Sequence, residues 1–245
     1  MNNNYDYYKD VIAKFEMKDK YEKNELLINE LLIKKQDNIE IYYAPHNEYV
    51  NKRAKIVIVG LCPGWTQTEI SIRTAIRECH NNSSVEDILY DCKIAARFAG
   101  SMRKNLIKML DEISLNKQFS LSSCSELFSK EIDILHTTSL IPFPVFINSK
   151  NYNGYTPSIS NDLFKELINK YFVNEIKQFD NVIVVPLGNV VEKELDKIIK
   201  EYHMSNIQVL RGLPHPSGAN VNRKKLFEEK KDYLRMQVDT YGEWL

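Results

Sequence analysis

The stretch Ile56-Val57-Ile58-Val59-Gly60-Leu61-Cys62-Pro63-Gly64 decides the fold of this chain. Four β-branched residues in a row, followed by a glycine, are typical of a short buried strand rather than of a helix. The strand runs directly into a Gly-x-x-Pro-Gly turn, and glycine lets a backbone approach a ligand closely. A buried strand with such a turn at its carboxyl end predicts a parallel α/β sheet with a binding loop at its edge.

A second loop of binding character, His215-Pro216-Ser217-Gly218-Ala219-Asn220, lies near the other end of the chain. It follows residues 207–210 (Ile-Gln-Val-Leu), which form another strand-like run. Because the carboxyl ends of parallel strands meet at one edge of a sheet, we expect both loops to contribute to one site.

The two loops resemble those of the uracil-DNA glycosylase superfamily, whose members carry a Gly-x-x-Pro-(Gly/Tyr) loop after the first core strand and a His-Pro-Ser loop after the last. Three further segments resemble family segments and follow in the same order. Residues 97–101 resemble the Pro-Phe-x-Gly segment, and residues 133–138 resemble the third-strand segment. Residues 182–188 resemble the strand and turn before the final helix. The resemblance implies an α/β fold: a three-layer α/β/α sandwich with a central, mainly parallel four-stranded sheet, plus an N-terminal helical extension.

The length of 245 residues suits one α/β domain with such an extension. We expect residues 1–50 to form a helical extension packed on the core, and residues 51–245 to form the glycosylase-like domain. Within the extension, residues 5–35 predict two helices, because the apolar residues of the second half recur at helical spacing. Residues 39–43 predict an extra strand.

The resemblance implies a DNA glycosylase that flips a damaged or modified base out of the helix and hydrolyses its N-glycosidic bond without a cofactor. Breaking this bond places negative charge on the departing base, so the site needs a hydrogen-bond donor there. The family histidine that fills this role corresponds to His215. Phe98 is expected to stack on the flipped base, and Thr138 to lie at its edge. The remaining substrate-binding residues are expected in and after the first loop: Gly60, Cys62, Pro63, Gly64, Trp65 and Gln67.

The chain departs from the family pattern in two places. Most members place Asp or Asn before the loop proline, or Glu one position earlier, where this chain has Cys62 and Leu61. Neither side chain is a good general base, so we assign the water-holding role to Glu69, with Gln67, Thr66 or a backbone carbonyl as alternatives. A Cys62 nucleophile is conceivable, but no activating partner is evident.

The second departure is Thr138, where uracil-specific members usually have Asn. A hydroxyl is smaller and less discriminating than an amide. The two departures predict a substrate other than plain uracil, or slow chemistry.

Several residues are expected to hold DNA: Ser217, Gly218 and Asn220 on the loop, and Arg223 and Lys224 at the start of the closing helix. The formal net charge of zero argues weakly against nucleic-acid binding. However, residues 93–108 contain five basic residues and no acidic one, and residues 211–235 contain seven basic and three acidic ones. Both clusters flank the predicted site as phosphate contacts require, although solvated lysine-rich helices have the same composition.

Other classes of site have little support in the sequence. The four cysteines show no C-x-x-C spacing and no His partner at metal-ligand spacing, so no metal is expected. The resemblance to the glycosylases implies no cofactor. No phosphate loop and no G-x-G-x-x-G motif follows a strand. No apolar run approaches the length of a membrane span and no signal-peptide pattern is present, so we expect a cytoplasmic protein without membrane contact, and a monomer.

Two alternatives to a glycosylase remain open. The replacement of the usual water-activating residue is compatible with a catalytically weak DNA-binding or base-sensing module of the same fold. A less favoured alternative is the hydrolysis of a small nucleoside or nucleotide. A substrate other than uracil suits either DNA repair or defence against phage, and no residue pattern decides between them.

Overall fold

The structure is a computed structural model, and it describes residues 4–130 and 133–241. Its α-helices in chain order are α1 (Tyr5–Ile12), α2 (Lys23–Leu26), α3 (Trp65–His80), α4 (Val85–Ala96), α5 (Ser101–Glu112), α6 (Leu115–Gln118), α7 (Asp162–Leu167), α8 (Asn174–Ile176), α9 (Asn189–Glu201) and α10 (Arg223–Thr240). A π-helical turn, Ile168–Val173, joins α7 to α8, and short 3-10 turns occur at Asn29–Leu31, Pro45–Asn47 and Glu126–Phe128.

The strands form two sheets. In chain order they are β1 (Leu32–Gln36), β2 (Ile39–Tyr42), β3 (Ile56–Gly60), β4 (Leu135–Ser139), β5 (Val145–Ile147), β6 (Lys150–Asn151), β7 (Val182–Pro186) and β8 (Ile207–Val209). One sheet has the order β1-β2-β5-β6 and is antiparallel. The other has the order β4-β3-β7-β8, and all of its pairings are parallel.

The parallel sheet confirms the predicted fold class. Every residue of β3, β4 and β7 is buried, which requires both faces of the sheet to be covered. This is the pattern of a three-layer α/β/α sandwich around a four-stranded sheet. The β-branched run at 56–59 forms the central strand β3, because such residues pack well on a pleated surface buried on both faces.

The chain divides into two compact units, which we describe separately. The first unit contains residues 1–50, 62–99 and 141–158, and carries the antiparallel sheet with α1 to α4. The second contains residues 51–61, 100–140 and 159–245, and carries the parallel sheet with α5 to α10. The chain passes from one unit to the other after residue 50, where we placed a boundary, but the division into residues 1–50 and 51–245 stays a prediction.

The second predicted helix in the N-terminal region is wrong. Helix α1 is present, but α2 has only four residues, and Leu27 leaves the helical region with φ −86° and ψ 62°. Strand β1 follows and pairs antiparallel with β2 through a turn at Asp37, whose φ is 51°. The strand predicted at 39–43 is present as β2 (Ile39–Tyr42). The apolar residues at helical spacing belong to several short elements, because pairing of β1 with β2 overrides the local helical pattern.

Candidate active site

The predicted site residues fall in both units. Those in the second unit are Gly60, Thr138, His215, Ser217, Gly218, Asn220, Arg223 and Lys224. Those in the first are Cys62, Pro63, Gly64, Trp65, Gln67, Glu69 and Phe98.

In the second unit, Gly60 and Thr138 lie at the carboxyl end of the parallel sheet. Gly60 ends β3 and is in register with Ser139, the neighbour of Thr138 on β4. The Leu140 N–H donates to the Gly60 carbonyl at 2.9 Å, and the Leu187 N–H donates to the Val59 carbonyl at 2.9 Å. Hydrogen bonds thus connect the carboxyl ends of β3, β4 and β7. Ligands bind at this end of the sheet in open α/β folds.

His215 lies at the same end of the sheet, because its loop packs against Gly188 in the turn after β7. Gly188 follows β7 with φ 89° and ψ 165°, a conformation that only glycine adopts readily. A Cβ atom at Gly188 would lie 3.0 Å from the His215 Cβ, so the absence of a side chain lets the histidine loop pack on this turn. Sequence reasoning identified the turn at 182–188 but not its contact with His215.

The hydrogen bonds of His215 fix its tautomer. The Ser217 N–H donates to His215 Nδ1 at 3.2 Å, so a neutral ring carries its proton on Nε2. Burial lowers the pKa of His215 below its usual value. At neutral pH the ring is therefore an uncharged donor through Nε2, which suits stabilisation of a developing anion.

The loop after His215 is held by its own polar side chains. Asn220 Nδ2 donates to the His215 carbonyl at 3.1 Å, and Arg223 Nη1 donates to the Ser217 carbonyl at 2.6 Å. Asn105 of α5 donates from Nδ2 to the Pro216 carbonyl at 2.9 Å. Two of the predicted DNA contacts, Asn220 and Arg223, therefore also shape the loop, and Asn105 is a supporting residue that no sequence pattern indicated.

An exposed apolar residue, Val221, follows this loop. It is 89% exposed, whereas most apolar side chains of the described residues are covered. Gly218, Lys224 and Lys225 are also exposed. The sequence analysis did not single out Val221. An apolar residue between Asn220 and Asn222, in a loop flanked by basic residues, could have indicated a side chain that inserts into DNA.

Thr138 is buried and its hydroxyl is engaged. Thr138 Oγ1 donates to Glu175 Oε2 at 3.0 Å, and the other Glu175 oxygen lies 2.5 Å from His136 Nε2. Glu175, on α8, carried no recognisable motif in the sequence, and only the folded chain brings it to β4.

In the first unit, Cys62 is a free, half-buried cysteine. Burial raises the pKa of the Cys62 thiol to about 12, although a hydrogen bond with the backbone of Val145 lowers it. Burial and the nearby Cys62 raise the pKa of Tyr152. The thiol stays protonated at neutral pH, which argues against a cysteine nucleophile or base.

The start of α3 is capped by two side chains. Gln67 Oε1 accepts from the Gly64 N–H at 3.4 Å, and Asn151 Oδ1 accepts from the Trp65 N–H at 3.0 Å. A Cβ at Gly64 would lie 3.3 Å from Asn151 Nδ2. Gln67 therefore has a structural role as a cap, and Asn151 is a neighbour of the glycine turn that sequence reasoning did not single out.

Glu69 is buried in the first unit and binds two partners. Its Oε1 accepts from Arg73 Nε at 2.8 Å and from the Tyr21 N–H at 3.3 Å, while Oε2 has a longer contact of 3.4 Å with Arg73 Nη2. Tyr21 and Arg73 also line a cleft of about 520 Å³. The carboxylate thus has a structural ion pair, and its role in holding water stays a prediction.

Phe98 has an unusual backbone. Its φ is 48°, in the left-handed region that bulky residues rarely adopt, and its side chain is 3% exposed. Such strain persists only where the surroundings enforce it, and it occurs often at functional sites. The stacking role of Phe98 stays a prediction.

The first predicted basic cluster is not one exposed patch. Lys93 and Arg97 are buried in the first unit, and Lys93 Nζ donates to Asn47 Oδ1 at 3.1 Å. Lys104 and Lys108 of the second unit are exposed on α5. Lys93 and Arg97 are therefore not free to reach phosphate as the structure stands, and the predicted role of the cluster in phosphate contacts stays a prediction.

The second basic cluster is partly neutralised. Arg211 pairs with Asp196 at 2.7 Å, and Lys231 pairs with Glu112. Lys224 and Lys225 are exposed at the start of α10 without an ion pair to any described residue. The phosphate contact predicted for Lys224 stays a prediction.

Two kinds of feature are absent from residues 4–130 and 133–241. No group of three or more His, Cys, Asp or Glu side chains could hold a metal ion. No helix within these ranges has the length and apolar character needed to cross a membrane.

Comparison with known proteins gives the family. The sequence model of the Uracil DNA glycosylase superfamily matches residues 48–237, and the chain belongs to this superfamily. A relative from Bacillus subtilis (strain 168), named "Uncharacterized protein YoxB", is 37% identical over 222 residues, which cover 90% of this chain and 87% of the relative. The crystal structure of wild-type Pedobacter heparinus SMUG2 aligns over 99% of this chain and 97% of its own with 15% identity and a TM-score of 0.43.

Membership confirms the resemblance drawn from the two loops. Members of this superfamily are DNA N-glycosylases, which are hydrolases that bind DNA. The function of the chain is therefore of the DNA glycosylase type.

Proposed function

We propose that the protein flips a damaged or modified base out of DNA and hydrolyses its N-glycosidic bond, leaving an abasic site. One observation carries the proposal: His215 is held as a neutral Nε2–H donor against the turn after β7, at the sheet end that also presents Gly60 and Thr138. A preorganised donor at this edge suits a reaction in which the leaving group becomes an anion.

In the proposed reaction, the oxygen of water bonds to the sugar carbon while the N-glycosidic bond breaks and its electron pair leaves with the base. One hydrogen of the water stays as the new sugar hydroxyl, and the other is released as a proton that neutralises the base anion. His215 donates a hydrogen bond to the base as negative charge develops. Removal of one such donor typically costs about 10²–10³ in rate.

A second part of the proposal concerns the group that holds the attacking water. Leu61 is apolar and the Cys62 thiol stays protonated, so neither residue takes a proton from water. We retain Glu69 as the proposed water-holding group, because Arg73 approaches Glu69 Oε2 only at 3.4 Å. Replacement of Glu69 by Gln should slow base release without weakening DNA binding, and an unchanged rate would remove Glu69 from the mechanism.

The loop after His215 and the start of α10 are proposed to hold DNA through Ser217, Gly218, Asn220, Arg223 and Lys224. Val221 adds an apolar wedge that can fill the space left by the flipped base, as exposed apolar residues of other DNA-binding proteins do. Phe98 and Trp65 are the proposed stacking residues. We further propose that the protein acts as a cytoplasmic monomer in DNA repair or in defence against phage.

The test is a base-release assay on single- and double-stranded oligonucleotides that contain uracil, mispaired thymine, oxidised bases or phage-type modified cytosines. Alkaline cleavage of the product detects abasic sites. His215→Ala should slow release by about 10²–10³. His80→Ala, at an exposed histidine of α3, should preserve the wild-type rate. A release rate in His215→Ala within a few-fold of the wild type would contradict the assigned role.

A base-sensing module is the second candidate, favoured by Leu61 and the protonated Cys62. This candidate predicts salt-dependent DNA binding, no abasic product from any base in the panel, and unchanged affinity in His215→Ala. Turnover of free nucleosides without DNA affinity would instead indicate hydrolysis of a small nucleoside or nucleotide.

A further inference from the structure

The cleft of about 520 Å³ in the first unit lies between residues 17–21 and the second half of α3. Three basic residues line it, Lys18, Arg73 and Arg77, together with one acidic residue, Asp19. Cavities of about 300–1,000 Å³ are typical of sites for small organic molecules. The cleft therefore has room for such a ligand, and its lining carries an excess of positive charge.

Both arginines of the cleft are held by a carboxylate. Arg73 Nε donates to Oε1 of the buried Glu69 at 2.8 Å. Arg77 Nε donates to Glu78 Oε1 at 2.8 Å, and the other Glu78 oxygen accepts the Ser83 hydroxyl at 3.0 Å. A side chain that is already held loses less conformational freedom when a ligand binds. The two guanidinium groups are therefore prepared for a ligand before it arrives.

The same contacts leave the outer donors of the two guanidinium groups available. A guanidinium has five N–H donors in a planar fork, and Nε carries only one of them. Within residues 4–130 and 133–241, neither Nη group of Arg77 has a hydrogen-bond partner. Of the Nη groups of Arg73, only Nη2 has a contact, at 3.4 Å. The two arginines lie four residues apart on one face of α3, and paired forks of this kind suit a phosphate group.

Lys18 supplies the third positive charge. Its Nζ lies 2.6 Å from Glu25 Oε1, and this hydrogen bond raises the pKa of Lys18, so the ammonium group is charged at neutral pH. An ammonium group has three donors, and Glu25 accepts one of them.

Apolar side chains complete the lining of the cleft. Tyr21 and Ile76 are 2% and 1% exposed, whereas Met17 is 60% exposed. A methionine thioether packs readily against the flat face or edge of a ring. A bare inorganic ion would leave this apolar surface in water, at a cost to the binding free energy. The lining therefore fits a ligand that has a phosphate at one end and a flat, partly apolar ring at the other.

We propose that this cleft binds a nucleoside monophosphate, with the phosphate on Lys18, Arg73 and Arg77 and the base against Met17 and Tyr21. A phosphate monoester carries about 1.5 to 2 negative charges at pH 7, which two guanidinium forks and an ammonium group match. The same phosphate group also ends a DNA strand, and the test separates these two sources. No residue that lines the cleft is among those proposed to bind or hydrolyse the DNA base, so the proposal does not depend on base release.

The test is isothermal titration calorimetry on the full chain, with AMP and CMP as the probes. Adenosine and inorganic phosphate represent the two parts of the ligand. At least one nucleotide should bind at a single site, and each part alone should bind roughly tenfold more weakly or worse, because the two sets of contacts act together. The proposal fails if neither nucleotide binds at about 1 mM, or if inorganic phosphate binds as tightly as the nucleotides.

Variants of two exposed residues assign the binding to this cleft. Arg77→Gln should weaken nucleotide binding by roughly tenfold or more, because hydrogen bonds to a charged group are lost. Arg77→Lys should recover only part of the affinity, because an ammonium group lacks the fork. Met17→Ala should weaken binding of the nucleotide while leaving that of inorganic phosphate unchanged.

The matched control is Arg53→Gln, at an ion-paired arginine of the second unit whose side chain is 80% exposed, and it should keep the wild-type affinity. Wild-type affinity in Arg77→Gln, with circular dichroism showing a folded protein, would overturn the proposal.

Competition identifies the source of the phosphate. Oligonucleotides with and without a terminal phosphate are titrated against the bound nucleotide. Displacement by the phosphorylated strand alone would support the same phosphate site with a DNA end as its ligand, and no displacement by either strand would support a free nucleotide. Equal displacement by both strands would show that the nucleotide occupies a general DNA-binding surface, and the proposal would then be wrong.

Discussion

The contact between Gly188 and His215 allows a sharp prediction about Gly188→Ala. Gly188 has φ 89° and ψ 165°, in a region that is nearly exclusive to glycine, so a side chain there costs about 1–3 kcal/mol of stability. The new Cβ would also lie 3.0 Å from the His215 Cβ. Carbon atoms prefer separations of about 3.5–4.0 Å, so His215 must move by roughly half an ångström or more. Overpacking of this kind adds about 1–3 kcal/mol.

Gly100→Ala is the matched variant for strain. Gly100 has φ 84° and ψ −148°, and a Cβ there meets nothing within 4 Å. Denaturant unfolding should show a loss of about 1–3 kcal/mol for Gly100→Ala and a larger loss for Gly188→Ala. Base release by Gly188→Ala should fall by about 10–100-fold, because a shift of about 1 Å at a catalytic group costs up to about 10² in rate. Equal stabilities of the two variants, together with wild-type release by Gly188→Ala, would refute this reasoning.

Three further predictions concern pH and DNA contacts. Burial lowers the pKa of His215, so base release should stay constant from pH 8 to about 6.5 and fall only at lower pH, where the ring gains a proton. The stability that the neutral ring contributes should likewise be lost as pH falls. A release rate that falls already between pH 8 and 7 would contradict the lowered pKa. Lys224→Gln should weaken binding to all DNA sequences alike. It should also reduce by about 1 the slope of the logarithm of the binding constant against the logarithm of the salt concentration. Lys200→Gln, at an exposed lysine of α9, should leave both affinity and slope unchanged. Val221→Ala should slow release from duplex DNA several-fold more than release from single strands, and equal effects on both would exclude a wedge.

The parts of the fold that depend on local pattern could be predicted from the sequence. The β-branched run at 56–59 is the central strand, and the turn after it leads into α3 at Trp65. The second loop lies beside the turn after β7, as the parallel arrangement required. Local composition carries this information, because a short apolar run bounded by glycine has few alternatives to a buried strand.

The parts that depend on tertiary contacts could not be predicted. Glu175 lies 37 residues from Thr138 in the sequence, and only the packing of α8 brings the two together. The burial of Lys93 could not be read from a basic segment, since lysine is normally exposed. Pairing of β1 with β2 likewise overrode a helical pattern. The contact between the Thr138 hydroxyl and Glu175 therefore became visible only in the folded chain.

The most direct test of the central claim compares the wild type with His215→Ala on the best substrate of the panel, measuring single-turnover base release and DNA affinity in the same samples. If neutral His215 stabilises the departing base, release should fall by about 10²–10³ while affinity stays nearly unchanged. A release rate within a few-fold of the wild type would contradict the claim, and so would a loss explained entirely by weaker DNA binding.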